Sequence, residues 1–497
     1  MRLARVLNNS AALLVLDVLS KAMPLVVFPV VVRALGPTVY GKIGFASAVA
    51  GFFGLLASPG FSTYALREAA RDESRVHFLV RHVLGARVAF AVGSYALLIL
   101  FALTFAPRDF TTRLLIVLSG LVFLVNSIDA QWIFTARSRM WMVTMRGTAG
   151  QLIYGGLILT LIRRPADAWV MPVASVTSLL AGTLLIWLPA RHEYKIPWPE
   201  ISPNLWRSFL PICMIMGLAS MMSMIYDQID TVMLRYMRTE AEVGLYVASY
   251  RLMTIAMSFT PILGTVFFPL LSETSGQIRE LVLEPNRNEV GNAARNDETR
   301  NEVRDAVREN EQRYLRWLGQ ASLGLALPIA TGGFILAAPL TRFALGLQYT
   351  GSAMLFRWLM LTIIAGPLAS YFGSQLIPTA REKKYLYSVA AGAFVNVVLN
   401  LILIRRYGAI AAAFTTAISQ GLVAFMNYYF SRDLPRPSLV KAFGLALIAS
   451  LVMAAGLLWA RTFPLHVVVL VALGALVYGA AYWTCRLLWN RSANAKV

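Results

Sequence analysis

The side chains with the most to say about chemistry in this sequence are ionisable groups stranded in long apolar runs: Asp17, Lys21, Arg87, Asp129, Arg146, Asp227, Asp230, Arg251 and Arg357. A charge at bilayer depth costs at least about 2.5–3.5 kcal/mol on insertion scales, so it faces water, a partner or a substrate. Guanidinium groups offer paired N–H donors that match phosphate oxygens. Carboxylates in the same setting, Asp17, Asp227 and Asp230, can take up and release protons or hold a small cation. Metal and redox chemistry are not indicated: His77, His82, His192 and His466 have no ligand spacing, and Cys213 and Cys485 lie within or at the end of apolar runs. No cofactor and no catalytic residue is expected.

Each charge also has a purely structural reading. Asp17 and Lys21 stand at i and i+4 on one helix face and can neutralise each other. Lys21 lies about 18 Å along the first run by the helical rise, beyond snorkelling range of its start. Arg251 can pair with Asp227 or Asp230. Arg87 and Arg146 lie within about two turns of one membrane boundary, and Arg357 is similarly close to the other, so all three can snorkel.

The elements that must position these residues are membrane helices. Of 497 residues, 58% are hydrophobic and 14% charged, against about 25% charged in soluble domains. The apolar runs are near the length of about 20 residues that a helix needs to cross a bilayer, twice that of a membrane β-strand. The expected fold is an all-α integral membrane protein with fourteen transmembrane helices, near 9–32, 40–66, 79–106, 112–135, 141–162, 168–189, 206–234, 243–271, 314–341, 352–378, 385–404, 409–430, 440–460 and 465–488. Arg2 and Arg5 before the first run imitate a secretory signal, but the run continues to Arg33 without a small-residue cleavage site and reads as a retained span.

A net charge of +20 would suggest nucleic acid for a soluble chain. Here the basic residues flank the spans, so they read as topology and lipid-headgroup contacts, with no nucleic-acid partner. On the side of the termini 28 of the 45 Lys and Arg residues collect, against 11 on the other and 6 in or at the edge of spans. Both termini are therefore expected in the cytoplasm.

Gln131 to Arg137 reads QWIFTAR and Gln375 to Arg381 reads QLIPTAR, each closing the fourth span of its set. A second pairing matches Arg33 with Arg235 and Tyr40-Gly41 with Val243-Gly244. The offsets of 202 to 203 and of 244 differ by an insertion, which the polar stretch 273–316 accommodates. Six spans return the chain to its starting side, so the copies are parallel. The resulting division is an N-lobe at 1–190, a polar linker at 191–205, a C-lobe at 206–432 carrying the insertion, and two further spans with a tail at 433–497. From Asn296 to Trp317 the insertion has helix formers and mixed charges suited to a solvated extension of the ninth span.

RALGPTVYGKIGFASA with LREAAR at the far end of the same helix, SIDAQWIF around Asp129, and VGLYVASYRLM at Val243 to Met253 resemble the polysaccharide, O-antigen type, lipid-linked oligosaccharide flippases of the multidrug/oligosaccharidyl-lipid/polysaccharide exporter superfamily. Ala130 and Gln131 depart from the family's adjacent Asp-Trp pair. The resemblance implies two six-helix lobes around a central cavity that opens alternately to each side. It further implies a cargo of undecaprenyl-pyrophosphate-linked glycan, moved to the periplasmic leaflet of the bacterial inner membrane, with polysaccharide polymerase and assembly proteins as partners. Lys21, Arg251, Arg146, Arg87 and Arg357 would then meet the pyrophosphate. Asp17, Asp227, Asp230 and Asp129 would serve ion coupling or charge pairing. A lipid II flippase and a cation-coupled multidrug antiporter of the same superfamily are the alternatives. A membrane glycosyltransferase fits poorly, because Arg33 to Tyr40 contains no acidic residue to hold a metal or act as base.

Overall fold

The computed structural model describes residues 2–137, 139–194, 197–258, 297–376, 379, 381–434 and 438–494, the side chains of 2–22, 73, 219, 220, 223, 297–308, 310, 311 and 490–494 excepted. Every regular element among them is helical. In chain order the principal helices are α1 (Arg2–Ala57), α2 (Phe61–Arg71), α3 (Leu84–Thr104), α4 (Phe110–Ser127), α5 (Gln131–Ala136), α6 (Met140–Leu161), α7 (Val170–Tyr194), α8 (Pro203–Met237) and α9 (Glu240–Ala256). They continue with α10 (Asp297–Ile335), α11 (Ala337–Leu345), α12 (Ser352–Leu376), α13 (Glu382–Tyr407), α14 (Ala409–Phe430), α15 (Val440–Ala460) and α16 (Val467–Asn494).

Among the described residues, ten segments are long and apolar enough to cross a membrane, against the fourteen expected. The difference has identifiable sources. Met23–Ala57 counts once although it covers the end of the first expected span and most of the second. α6 mixes Arg146 with Gly and Thr, α8 carries Arg207, Asp227 and Asp230, and residues 259–271 of the eighth expected span lie outside the described residues. α6 and α8 stand where the fifth and seventh spans are expected, without reaching the apolar length of the others.

Three breaks shape the first part of the chain. Gly36 adopts φ 72 and ψ 168 inside α1, a left-handed φ that glycine tolerates. Pro37 then opens the second half of the helix, where its missing N–H costs nothing. Gly60, φ 71, makes the corner into α2. The third break, Ile128 to Ala130, separates α4 from α5.

Packing divides the chain into two compact units, residues 1–248 with 344–349, and 249–343 with 350–497. The division falls within α9, past the 191–205 linker, because α8 packs on α1. In the first unit α1 also packs against α3, α4 and α6, and α7 covers α6. An apolar core joins Phe61 and Tyr64 of α2, Trp132 and Phe134 of α5, Ile186 of α7, and Phe209 and Cys213 of α8. In the second unit α12 lies against α10 and α14, α13 against α14, and α15 against α10 and α16. Of the insertion, residues 273–296 lie outside the described residues. From Asp297 the backbone is helical without interruption into the ninth expected span.

Candidate functional site

The break at Ile128 to Ala130 is where expected site residues come together. A helix interruption in an apolar environment leaves backbone groups that need partners. Three side chains supply them here, and a fourth holds the side chains around the break. Asp129 accepts the Gln131 N–H at 3.1 Å on Oδ1, an Asx-type turn that starts α5. Arg87 of α3 donates to the Asp129 carbonyl at 3.2 Å, and the Trp187 indole N–H of α7 donates to the Ile128 carbonyl. Arg146 of α6 reaches the Asp129 carboxylate at 2.7 Å and also donates to the Gln131 side-chain carbonyl.

The cluster is well enclosed. Arg87 is 7% exposed, and the side chains of Arg146 and Asp129 are 16% and 13% exposed. Two guanidinium groups face one carboxylate, so the site keeps a surplus positive charge. The Nε atoms of both arginines are buried without a hydrogen-bond partner among the described residues. Those are donors that an anionic group could use.

The other expected residues are distributed differently. Asp230 of α8 is buried and accepts the Tyr246 hydroxyl at 2.8 Å, and Asp227, one turn earlier, is exposed. Arg251 and Arg357 belong to the second unit. Arg251 is exposed, and the half-buried Arg357 sits 5.9 Å above the Phe334 ring. The side chains of Asp17 and Lys21 lie outside those described.

The two copies of the repeat differ at this point. The offset of 244 that relates Gln131 to Gln375 relates Asp129 to Gly373 and Arg146 to Ala390. A Cβ at Gly373 would lie 2.8 Å from the Tyr385 ring, so the second copy has no room for the acid. The charged cluster is a property of the first copy. What both copies retain is the use of the arginine that ends the motif. Arg137 lies 5.9 Å over the Tyr194 ring at the end of α7. Arg381 donates to the Phe430 carbonyl at 3.1 Å and bidentately to Asp433 at 2.7 and 2.8 Å, just past α14.

One polar group was not anticipated as a unit. Lys42 binds Asp109 at 2.7 Å and approaches Glu240 at 3.5 Å, and Arg235 binds Glu240 at 2.6 Å. Burial pushes the Asp109 carboxyl up, but hydrogen bonds from Lys42 and Thr112 outweigh it and hold the group down at about 2. The sequence carried two partial signals: Lys42 is the sole charge from Tyr40 to Leu66, and Arg235 is the repeat mate of Arg33.

Comparison with known proteins agrees with this architecture. A protein of Escherichia coli (strain K12) described as an O-antigen transporter is 24% identical over 169 residues, 33% of this chain and 40% of that relative's length. The structure of a lipid II flippase, MurJ in an inward closed conformation, superposes with a TM-score of 0.74 at 13% identity, covering 97% of this chain and 99% of that one. A multidrug resistance MATE transporter of the MOP superfamily, inward-facing, gives a TM-score of 0.61 at 14% identity over 83% and 94% of the two chains. The fold is thus shared with flippases and transporters. The sequence profile of the polysaccharide biosynthesis proteins matches residues 6–275, more than half of the chain, and the protein belongs to that family.

Proposed function

We propose that the chain is an alternating-access flippase that carries undecaprenyl-pyrophosphate-linked oligosaccharide repeat units from the cytoplasmic to the periplasmic leaflet. The observation that carries the reading is the family match over residues 6–275. The surplus guanidinium charge at Arg87, Asp129 and Arg146 supports an anionic cargo. Two six-helix lobes would enclose a central cavity in the inner membrane, with two C-terminal helices outside and both termini cytoplasmic. The lipid tail stays in the bilayer while the pyrophosphate and sugars cross, and no covalent bond is broken. Lys21, Arg251, Arg87, Arg146 and Arg357 are the proposed cationic contacts of the cargo. Proton or sodium coupling would run through Asp17, Asp227 or Asp230. Polymerase and assembly proteins would take the glycan up on the far side.

The likeness to a lipid II flippase over nearly the full chain favours a second reading, in which the same machinery moves lipid II. One experiment separates them. The purified protein is reconstituted into vesicles, and inward-to-outward transfer of a fluorescent polyprenyl-pyrophosphate oligosaccharide is compared with that of lipid II. The expected result is transfer of the oligosaccharide lipid, reduced in Lys21→Ala and Arg251→Ala. Transfer of lipid II alone would replace the first reading with the second.

A further inference from the structure

Lys42 and the glycines around it form a seam along the second half of α1. At one end a Cβ on Gly41 would lie 2.1 Å from the Glu240 carbonyl oxygen, and one on Gly244 would lie 1.8 Å from that of Pro37. These glycines are mates in the internal repeat, so the two copies touch backbone to backbone at equivalent positions. Gly44 sits against Val247 next to them. At the other end a Cβ on Gly60 would lie 2.4 Å from the Cys213 carbonyl oxygen, and one on Gly217 would lie 2.8 Å from Pro59. Backbone contact at Gly41 and Gly244 has no side chain to unthread at either position, so parting this end separates chiefly Val247 from Gly44 and the Phe45 ring from Tyr236.

The two ends differ in chemistry. The Gly60 end rests on Pro59, Met216 and the fully buried Cys213. The Gly41 end is crossed by ions: Lys42 and Asp109 from the first copy meet Glu240 and Arg235 from the second. Arg235 also lies 6.0 Å over the ring of Phe45, which is fully buried beneath it. Two cations and two carboxylates close the set with no net charge. The pairs are partly enclosed, with the Lys42, Arg235 and Glu240 side chains 15%, 15% and 22% exposed and Asp109 35%, and they separate only as water enters to rehydrate each partner. They give register and reversibility where an apolar contact of the same extent would resist opening.

We propose that Lys42, Asp109, Arg235 and Glu240 form an electrostatic latch that holds the Gly41 end of the seam shut and parts when the transporter opens on that side. Each carboxylate then exchanges its cation for water, while the Gly60 end stays closed. The latch rests on the transporter reading and adds to it a defined pair of moving surfaces.

Thiol labelling tests the latch without any cargo, so its failure is distinguishable from failure of the flippase reading. The chain has two cysteines, Cys213 and Cys485. In one background both become serine and Phe45→Cys reports on the latch end. In the other only Cys485→Ser is made, and native Cys213 reports on the opposite end. A hydrophilic maleimide is applied to the full-length protein in liposomes. Lys42→Ala and Glu240→Gln should each speed labelling at position 45 by about tenfold or more, the response of a two-state closure whose balance has shifted by an order of magnitude. Cys213 should label no faster in either variant. Combining Lys42→Glu with Glu240→Lys keeps the set neutral and should return most of the protection at position 45. Equal labelling at position 45 with and without the charges overturns the latch. So does faster labelling at both ends, which would mean general loosening, and so does a reversed pair that gives no protection.

Discussion

The hydroxyl of Tyr349 donates to the carbonyl of Val32 at 3.1 Å, across 317 residues of chain. The geometry follows from the break in α1. In an unbroken helix the Val32 and Arg33 carbonyls would accept from the N–H groups of residues 36 and 37. Pro37 has no N–H, so the Arg33 carbonyl loses its helical partner, and the Val32 carbonyl stands beside it at the same turn. Tyr349 serves the first and the Gln348 side-chain amide serves the second at 2.8 Å. A short segment from late in the sequence therefore completes the first helix.

Tyr349→Phe should destabilise the protein by about 0.5–1.5 kcal/mol, because it removes one buried hydrogen bond and leaves the Val32 carbonyl to the weaker Gln348 contact at 3.4 Å. Gln348→Leu should cost less, since Gln348 is exposed and water can replace it. Thermal unfolding of the purified protein in detergent measures both, and an equal or reversed order would contradict the assignment.

Asp129→Asn and Arg146→Met should each be strongly destabilising, by about 3–5 kcal/mol, as expected when one partner of an enclosed ion pair is removed. The double variant should lose less than the two singles together. Denaturant or thermal unfolding of all three gives the coupling, and strict additivity would show that the pair does not act as a unit.

Asp109 should make the fold acid-sensitive in a defined window. Its folded value of about 2 lies below the usual carboxylate value of 3.8, so its contribution is present above pH about 4 and is lost as the pH falls toward 2. Asp433 is also held low, chiefly by the hydrogen bond from Arg381, and titrates in the same direction. Asp109→Asn should therefore flatten the decline in melting temperature between pH 4 and pH 2.5 without abolishing it. An unchanged slope would place the acid sensitivity elsewhere.

Gly85→Ala should release the 197–202 linker segment. The helix start before α3 is a π turn at Leu79–Val83, which leaves the Arg81 carbonyl free to accept the Glu200 N–H at 2.6 Å. A Cβ on Gly85 would lie 1.8 Å from the Glu200 carbonyl oxygen, and backbone on both sides leaves little room to adjust. Tryptic cleavage between residues 191 and 205 should accelerate by about tenfold or more, as expected for a segment whose local closure has been lost. An unchanged rate would mean the linker tolerates the side chain.

Much of this protein was legible in the sequence by itself. Length and spacing of apolar runs placed helices at the observed positions, because bilayer thickness imposes a local rule on composition. The Gly-Pro turn at residues 36 and 37 announced the break in α1 through the backbone preferences of those two residues. The recurrence of QWIFTAR as QLIPTAR singled out Arg137 and Arg381, and both close against the end of the sixth helix of their set. The motifs around Asp129 and Gly41 pointed to the family.

Only the tertiary structure decided which charges meet. Arg87 and Arg146 stand on two different helices and Asp129 in the break between two others, and a hydropathy pattern carries no information about which faces of separate helices oppose one another. Arg87 and Arg146 each resemble a snorkelling side chain in sequence, yet both turn inward, Arg87 to a carbonyl of the helix break and Arg146 to the Asp129 carboxylate beside it. Lys42 looked like an isolated charge, and its partners Asp109 and Glu240 lie far away in the chain. Gly41 and Gly244 were readable as repeat mates but not as neighbours in space. Pairing between such distant residues follows from how the helices cross, and that is fixed by packing of the whole unit rather than by any local stretch.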